Sequence, residues 1–200
     1  QYLQTRRLLT AKQLLTDTDL PVTQVGLLSG FASLRRFNAA FAQHYHLNPS
    51  ALRRQPSRAP DAPAPLAGQG AEAPPGGAVR VRLSYRPPYD VAALVAFFAA
   101  RAVPGMEWAD PAARCLRRTL AMPGPDGAAR TGWVEAQFDP ARHQITLRVG
   151  DGLRDALPQV IHRARAWLDV DADPLAIEAA LGAAFPAGEG LRVPGCLDGF

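Results

Sequence analysis

Residues 21–54 read PVTQVGLLSGFASLRRFNAAFAQHYHLNPSALRR and predict two short helices joined by a tight turn. Apolar residues recur at helical spacing as far as Leu28, and Ser29-Gly30 then breaks the pattern. Because glycine has no Cβ, Gly30 suits the left-handed position that closes a helix. Ser33 is well placed to cap the N-terminus of the second helix.

The second helix has two faces of opposite character when residues are placed about 100° apart. The apolar face carries Leu34, Phe37, Phe41 and Tyr45. The other face carries Arg35, Arg36, Ala39 and Gln43. Two arginines near the start of such a helix fit the recognition helix of a helix-turn-helix, whose N-terminal residues reach base edges. An ordinary amphipathic helix with a solvated charged face is the alternative that this pattern leaves open.

The motif G-F-x-S-x-x-x-F-x-x-x-F, followed by P-x-x-L-R, resembles the second helix-turn-helix of AraC-type transcription regulators. It is formed here by Gly30, Phe31, Ser33, Phe37, Phe41, Pro49, Leu52 and Arg53. The resemblance implies binding to double-stranded DNA. The residues expected to contact it are Ser33, Leu34, Arg35, Arg36, Asn38 and Arg7. His46 stands where the family usually has glycine, which leaves the geometry of one turn open.

Residues 1–16 predict a helix that buries Leu8, Ala11, Leu14 and Leu15. The pattern R-x-x-x-A-x-x-L-L resembles the long helix that joins the two helix-turn-helix motifs of AraC-type regulators. The sequence leaves two roles open for Arg6 and Arg7. They either contact DNA phosphate or lie on a solvated face of the helix. The sequence begins with Gln1 rather than methionine and ends at Phe200 within a motif. We therefore expect an internal fragment, with the first helix-turn-helix upstream.

Charge and cysteine content narrow the class of protein. Residues 1–58 carry eight Arg and Lys against two Asp and Glu, so the basic character lies in the helical part, where phosphate neutralisation would use it. Cys115 and Cys196 lack metal-site spacing, which favours a reducing cytoplasm and no zinc site. We expect no metal and no cofactor in this chain. The longest apolar run, residues 91–100, is too short to span a bilayer.

Residues 55–78 differ sharply in composition from their surroundings. They contain six prolines, four glycines and one large aliphatic residue, Leu66. Such a segment buries too little apolar surface to offset the entropy of ordering it. We therefore predict a disordered linker between a helix-turn-helix segment at 1–54 and a second domain at 79–200.

The second domain is predicted to be α+β, with an antiparallel sheet covered by helices in the order β-α-β-β-β-β-α-α. Alternating residues or short apolar runs bounded by turn residues predict strands at 79–85, 106–110, 114–122, 132–138 and 144–150. Helical patterns predict helices at 91–103, 153–168 and 174–181. Asp169, Asp171 and Asp173 are read as a turn between two helices with a capping role.

A second resemblance rests on Y-R-P-P-Y-D at 85–90, F-F-A-A-R-A-V-P-G at 97–105 and G-L-R-V-P-G-C-L-D-G-F at 190–200. These strings resemble the N-terminal domain of bacterial DNA-3-methyladenine glycosylase II, the AlkA type. The resemblance implies a fold like one repeat of the TATA-box-binding protein. Val91 and Leu116 depart from the family, which often has aromatic residues there.

The glycosylase resemblance implies an enzyme that flips an alkylated base into an aromatic cleft and cleaves its N-glycosidic bond. In that family the catalytic aspartate and the helix-hairpin-helix follow the position of Phe200. We therefore expect no catalytic residue in this chain and no activity from it alone. Phe97 either lines the cleft or is plain core, while Trp108, Trp133 and Trp167 are expected in core or sheet packing.

Together the resemblances imply a transcription regulator fused to a repair glycosylase, similar to proteins that join an Ada-type regulator to an AlkA-type enzyme. The expected partners are promoter DNA and alkylated DNA, with RNA polymerase as a further candidate and no membrane. The alternative is an AraC-type regulator with an effector-binding α+β domain and no enzymatic activity. That alternative needs a buried carboxylate in a pocket, for which Glu135 is the candidate, and the Y-R-P-P-Y-D string argues against it.

Overall fold

The computed structural model describes residues 2–54, 77–124 and 126–197, which belong to two compact units, 1–75 and 76–200. Residues 55–76, nearly all of the predicted linker, lie outside the described residues, as do the last three residues of the glycosylase-like terminal motif.

Within residues 2–54, the first unit has four helices, α1 (Tyr2–Asp17), α2 (Val22–Leu28), α3 (Leu34–Tyr45) and α4 (Pro49–Arg54). Helix α1 contacts α2 and α4, and α3 contacts the same two helices. The core contains the four α1 residues named from the sequence and, from the other helices, Val25, Phe37 and Phe41. The predicted helix-turn-helix is therefore α2 and α3, supported by α1 and α4.

The turn between α2 and α3 has the predicted chemistry. Gly30 has a φ of 84°, in the left-handed region, and the Ser33 hydroxyl accepts a hydrogen bond from the Arg36 amide at 3.3 Å. Phe31 is buried, with its ring centroid 5.2 Å from that of Phe37. Leu34, which the sequence places on the apolar face and among the expected DNA contacts, is 39% exposed.

The backbone conformation of His46 defines the turn after α3, whose geometry the sequence left open. His46 closes α3 with a φ of 55°, and its amide donates to the Ala42 carbonyl at 2.9 Å. This is the left-handed conformation that glycine adopts readily at the end of a helix. The chain therefore keeps the turn expected of the family, at the steric cost of a Cβ in that region.

The second unit contains a five-stranded antiparallel sheet in the order β1-β5-β4-β3-β2. The strands are β1 (Ala78–Ser84), β2 (Glu107–Asp110), β3 (Cys115–Pro123), β4 (Ala129–Asp139) and β5 (Gln144–Gly150). Helix α5 (Val91–Ala99) packs against β2 and β3, and helices α6 (Leu157–Trp167) and α7 (Pro174–Leu181) follow the last strand. The predicted α+β class and element order are confirmed.

One face of the sheet is the apolar core of this unit. Alternate residues of the strands are buried there, among them Val79, Val81, Leu83, Leu116, Val134, Ala136, Ile145, Leu147 and Val149. The turn Asp151–Ala156, a 3-10 helix, packs against β4. Gly132 of β4 lets it approach, since a Cβ there would lie 2.9 Å from the Leu153 side chain.

Two helix predictions were wrong at one end. Asp90 caps α5 by accepting from the Ala93 amide at 2.8 Å, but the helix ends at Ala99, four residues before the predicted end. The helix predicted from residue 153 begins at Leu157, after the 3-10 turn. Pro158 explains this start, because proline has no amide hydrogen and is favoured in the first turn of a helix.

Candidate nucleic-acid interface

Helix α3 exposes four of the predicted DNA-binding residues, which are Leu34 and three polar residues. Arg35, Arg36 and Asn38 are all exposed. Phe37 and Phe41, one helical turn apart, are fully buried and in edge-to-face contact at 5.6 Å. Because the buried rings fix the rotation of the helix, Arg35, Arg36 and Asn38 are left facing solvent.

Arg7 of α1 lies close to this surface. A Cβ placed on Gly30 would be 3.2 Å from the Nε atom of Arg7, so the arginine side chain lies against the turn between α2 and α3. Arg7 is exposed. The fold therefore brings this residue to the same turn as Ser33, although α1 and α3 are far apart in the sequence.

Phe97 lies near the end of α5 and is 40% exposed. The guanidinium carbon of Arg101 is 4.0 Å from the centroid of its ring, within the range of a cation–π contact. Phe98, the next residue, contacts the buried ring of Trp167 at 5.5 Å. Phe97 is therefore not part of the core of this unit, whereas Phe98 faces it.

Residues 86–90 contact residues 190–192, and both segments belong to the motifs that carry the glycosylase resemblance. The Arg192 guanidinium lies 4.5 Å from the centroid of the Tyr89 ring, and its Nη2 donates to the carbonyls of Arg86 at 2.6 Å and Pro88 at 2.8 Å. The Gly190 carbonyl accepts from the Asp90 amide at 2.7 Å. Burial raises the pKa of the Tyr89 hydroxyl above its usual range. Sequence reasoning did not find this contact, because more than 100 residues separate its two sides.

Glu135, the candidate effector ligand of the alternative hypothesis, is buried and already paired. Its Oε2 accepts from Nε and Nη2 of Arg117 at 3.0 and 2.6 Å, and its Oε1 accepts from Nη1 of Arg148 at 2.8 Å. Arg117 also stacks over Trp108 at 5.2 Å, and Arg148 over Trp133 at 5.4 Å. Both carboxylate oxygens are therefore engaged within the sheet.

The remaining sequence expectations concern cysteines, metals and membranes. Cys115 is buried and Cys196 is exposed, and both are free thiols. Among residues 2–54, 77–124 and 126–197, there is no group of three His, Cys, Asp or Glu side chains placed to hold a metal ion. Within the same residues, every helix is too short or too polar to cross a bilayer. Asp173 caps α7, as predicted, by accepting from the Ala176 amide.

The fold and these surfaces define a helix-turn-helix protein with an α+β domain that follows it in the chain. The family model described as the AlkA N-terminal domain matches residues 80–198, and a helix-turn-helix domain model matches residues 1–55. The chain belongs to the AlkA N-terminal domain family, and it carries a helix-turn-helix domain of the AraC type at its N-terminus.

Two named relatives resemble the chain over different lengths. A Mycobacterium tuberculosis protein named "Probable bifunctional transcriptional activator/DNA repair enzyme AlkA" is 36% identical over 180 residues, which is 89% of this chain and 32% of that protein. The Escherichia coli "DNA-3-methyladenine glycosylase 2" is 35% identical over 118 residues, 59% of this chain and 39% of the enzyme. The chain thus spans about a third of the length of the relatives it matches.

Proposed function

We propose that this chain is part of a transcription regulator fused to a DNA repair glycosylase. In this proposal α3 binds promoter DNA sequence-specifically, and the parent protein excises alkylated bases such as 3-methyladenine. The observation that carries the DNA-binding half is the exposed Arg35, Arg36 and Asn38 face, held by the buried Phe37 and Phe41. RNA polymerase is a further candidate partner of the regulator.

The regulator half is tested by the effect of one arginine on specific binding. The full chain would first be used to select a cognate duplex from random double-stranded DNA. Arg35→Ala should then weaken binding to that duplex by about 1–3 kcal/mol, because a guanidinium that pairs with guanine reads one base position. Binding to a scrambled duplex should change much less. Fluorescence anisotropy measures both affinities.

Arg142→Ala is the matched control, because Arg142 is an exposed arginine of the second unit. It should leave both affinities unchanged, and circular dichroism would confirm that each variant is folded. An equal loss on cognate and scrambled duplexes for Arg35→Ala would make this residue a phosphate contact. Failure to select any preferred duplex would refute specific binding.

The glycosylase half rests on membership of the AlkA N-terminal domain family and on the exposure of Phe97. We propose that Phe97 contributes to the aromatic cleft for the flipped base. Stacking on an aromatic side chain contributes about 1–3 kcal/mol per base. Phe97→Ala in the full-length parent should therefore lower kcat/KM for 3-methyladenine release about tenfold. Leu175→Ala, which alters a more exposed apolar residue of α7, should not.

The gene on the 3′ side of the Phe200 codon decides whether the excision assay applies. A helix-hairpin-helix followed by an aspartate would support the glycosylase proposal. A stop codon at that point would refute it and leave a DNA-binding regulator. Glu135 gives the effector-binding alternative no support, because Arg117 and Arg148 already occupy its carboxylate.

A further inference from the structure

The face of the sheet opposite the apolar core carries a row of charged and aromatic residues. Directly paired residues of antiparallel strands point to the same side of a sheet. The strand register aligns one residue from each of the five strands, namely Arg80, Arg148, Glu135, Arg117 and Trp108. We call these five residues the arginine row. Their neighbours along each strand point the other way, and on β1, β4 and β5 these neighbours are apolar core residues.

The arginine row reaches solvent at both of its ends. Arg80 is exposed on β1, and Trp108 is 38% exposed on β2. Between them the side chains of Arg148 and Arg117 keep 25% and 20% of their surface accessible, and Glu135 is buried beneath them. The row is therefore open to solvent at Arg80 and Trp108, and its central guanidinium groups are only partly accessible.

The row has an excess of positive charge. It contains three arginines and one carboxylate, and that carboxylate contacts Arg117 and Arg148. Arg80 lies directly opposite Arg148 in the register of β1 and β5. Like charges placed directly opposite each other destabilise a sheet. An anionic group bound between these two guanidinium groups would relieve that repulsion.

Aromatic rings lie beside the same arginines. The Arg117 guanidinium lies over Trp108, and the Arg148 guanidinium lies over Trp133, which is two residues before Glu135 and so on the same face. A positively charged surface with interleaved aromatic rings is the combination that binds single-stranded nucleic acid without sequence preference. Phosphates pair with the cations, and bases stack on the rings.

We propose that the arginine row, with Trp133, is a second DNA-binding surface, and that it holds a single DNA strand. Phosphates bind at Arg80 and Arg148, and bases stack at Trp108 and Trp133. The row spans four strand spacings, about 19 Å, which is enough for a few nucleotides. A single strand fits better than a duplex, because the bases of a duplex are already stacked on one another. This surface belongs to the second unit and does not depend on α3.

The test is a titration of the full chain with a fluorescein-labelled oligothymidylate of about 12 nucleotides at low salt. Arg80→Glu should weaken binding at least about fivefold and reduce the dependence of affinity on salt, because a phosphate contact is lost. Trp108→Ala should weaken binding about tenfold and remove part of the tryptophan quenching that accompanies it. Arg80→Ala should also weaken the binding of oligothymidylate, and it introduces no negative charge.

Two controls separate this surface from the helix-turn-helix and from net charge. Arg142→Glu makes the same change in net charge at an exposed turn and should alter the affinity less than about twofold. The double variant Arg35→Ala/Arg36→Ala should lose duplex binding and keep oligothymidylate binding. Near-ultraviolet circular dichroism would check that each variant keeps its tertiary packing.

Four outcomes would overturn the proposal. The first is no binding of oligothymidylate by the wild-type chain, and the second is an equal loss for Arg80→Glu and Arg142→Glu. The third is equal binding of a duplex by the Arg35→Ala/Arg36→Ala variant together with no effect of Trp108→Ala, which would make the row a general phosphate surface. Loss of oligothymidylate binding in the α3 double variant would place the single strand on the helix-turn-helix instead.

Discussion

Glu135→Gln tests the energetics of the sheet directly. The substitution keeps the volume of the side chain and removes the one carboxylate of the arginine row. Glu135 accepts three charge-assisted hydrogen bonds from Arg117 and Arg148 and is only 7% exposed. Without its charge, three arginines would lie in one row of the sheet with no carboxylate among them. We therefore expect a large loss in the free energy of unfolding of the second unit.

The magnitude follows from the burial of the partners. Removing one member of a buried ion pair costs about 3–5 kcal/mol, because the other member is left buried and uncompensated. Here the side chains of Arg117 and Arg148 remain 20% and 25% exposed, so water can partly solvate them. We expect a loss of about 2–3 kcal/mol after this discount.

Urea unfolding followed by tryptophan fluorescence measures this loss selectively. All three tryptophans, Trp108, Trp133 and Trp167, lie in the second unit, so the signal reports that unit alone. The urea midpoint should fall while the slope of the transition stays the same. The matched control is Asp171→Asn, which breaks an ion pair whose carboxylate side chain is 65% exposed and should cost less than about 1 kcal/mol.

A second variant separates the charge of Glu135 from the packing of the row. The triple substitution Arg117→Met/Glu135→Leu/Arg148→Met replaces the whole buried cluster with apolar groups, and such replacements are often neutral or stabilising. Its stability should therefore recover most of the loss. If Glu135→Gln cost no more than Asp171→Asn, the reasoning would be refuted, because the three charges would then be solvated rather than mutually dependent.

Two further predictions concern the thiols and the end of α3. Burial, with the nearby Glu135 carboxylate, raises the pKa of Cys115 to about 12, so near neutral pH only Cys196 should react with a thiol reagent, and Cys115 should react after unfolding or well above its usual pKa range. Two thiols reacting at equal rates in the folded protein would contradict this. His46→Gly should stabilise the first unit by about 1 kcal/mol, because it removes a Cβ from a left-handed residue, and helical circular dichroism on heating measures the shift. An unchanged or lower melting temperature would indicate that the His46 side chain stabilises the unit in another way.

The sequence was sufficient for the features that depend on near neighbours. The Ser33 cap, the left-handed Gly30 and the two faces of α3 follow from residues within a few positions of each other. The strands were predictable because alternating residues face either the core or solvent. The errors fell at the ends of elements, where local pattern and tertiary packing compete: α5 ends early at Ala99, α6 begins late at Leu157, and β4 begins at Ala129, ahead of the predicted residue 132.

The sequence of α5 did not predict which side of this helix is buried. This helix is apolar nearly all round, so its sequence could not distinguish a core residue from a cleft residue at position 97. The structure exposes Phe97 and turns Phe98 towards Trp167, because the packing of α5 on β2 and β3 selects its buried side. The rotation of such a helix is a property of the assembled unit.

The sequence by itself determined the class of each of the two domains and the arginines on the exposed face of α3. Its composition also predicted a linker between the two domains. Only the tertiary structure placed Arg117, Glu135 and Arg148 in one row and Arg192 on Tyr89. The partners in these contacts come from different strands or from opposite ends of the second unit. Their proximity is set by strand register and by the path of the chain, since a shift of one residue would move a side chain to the opposite face.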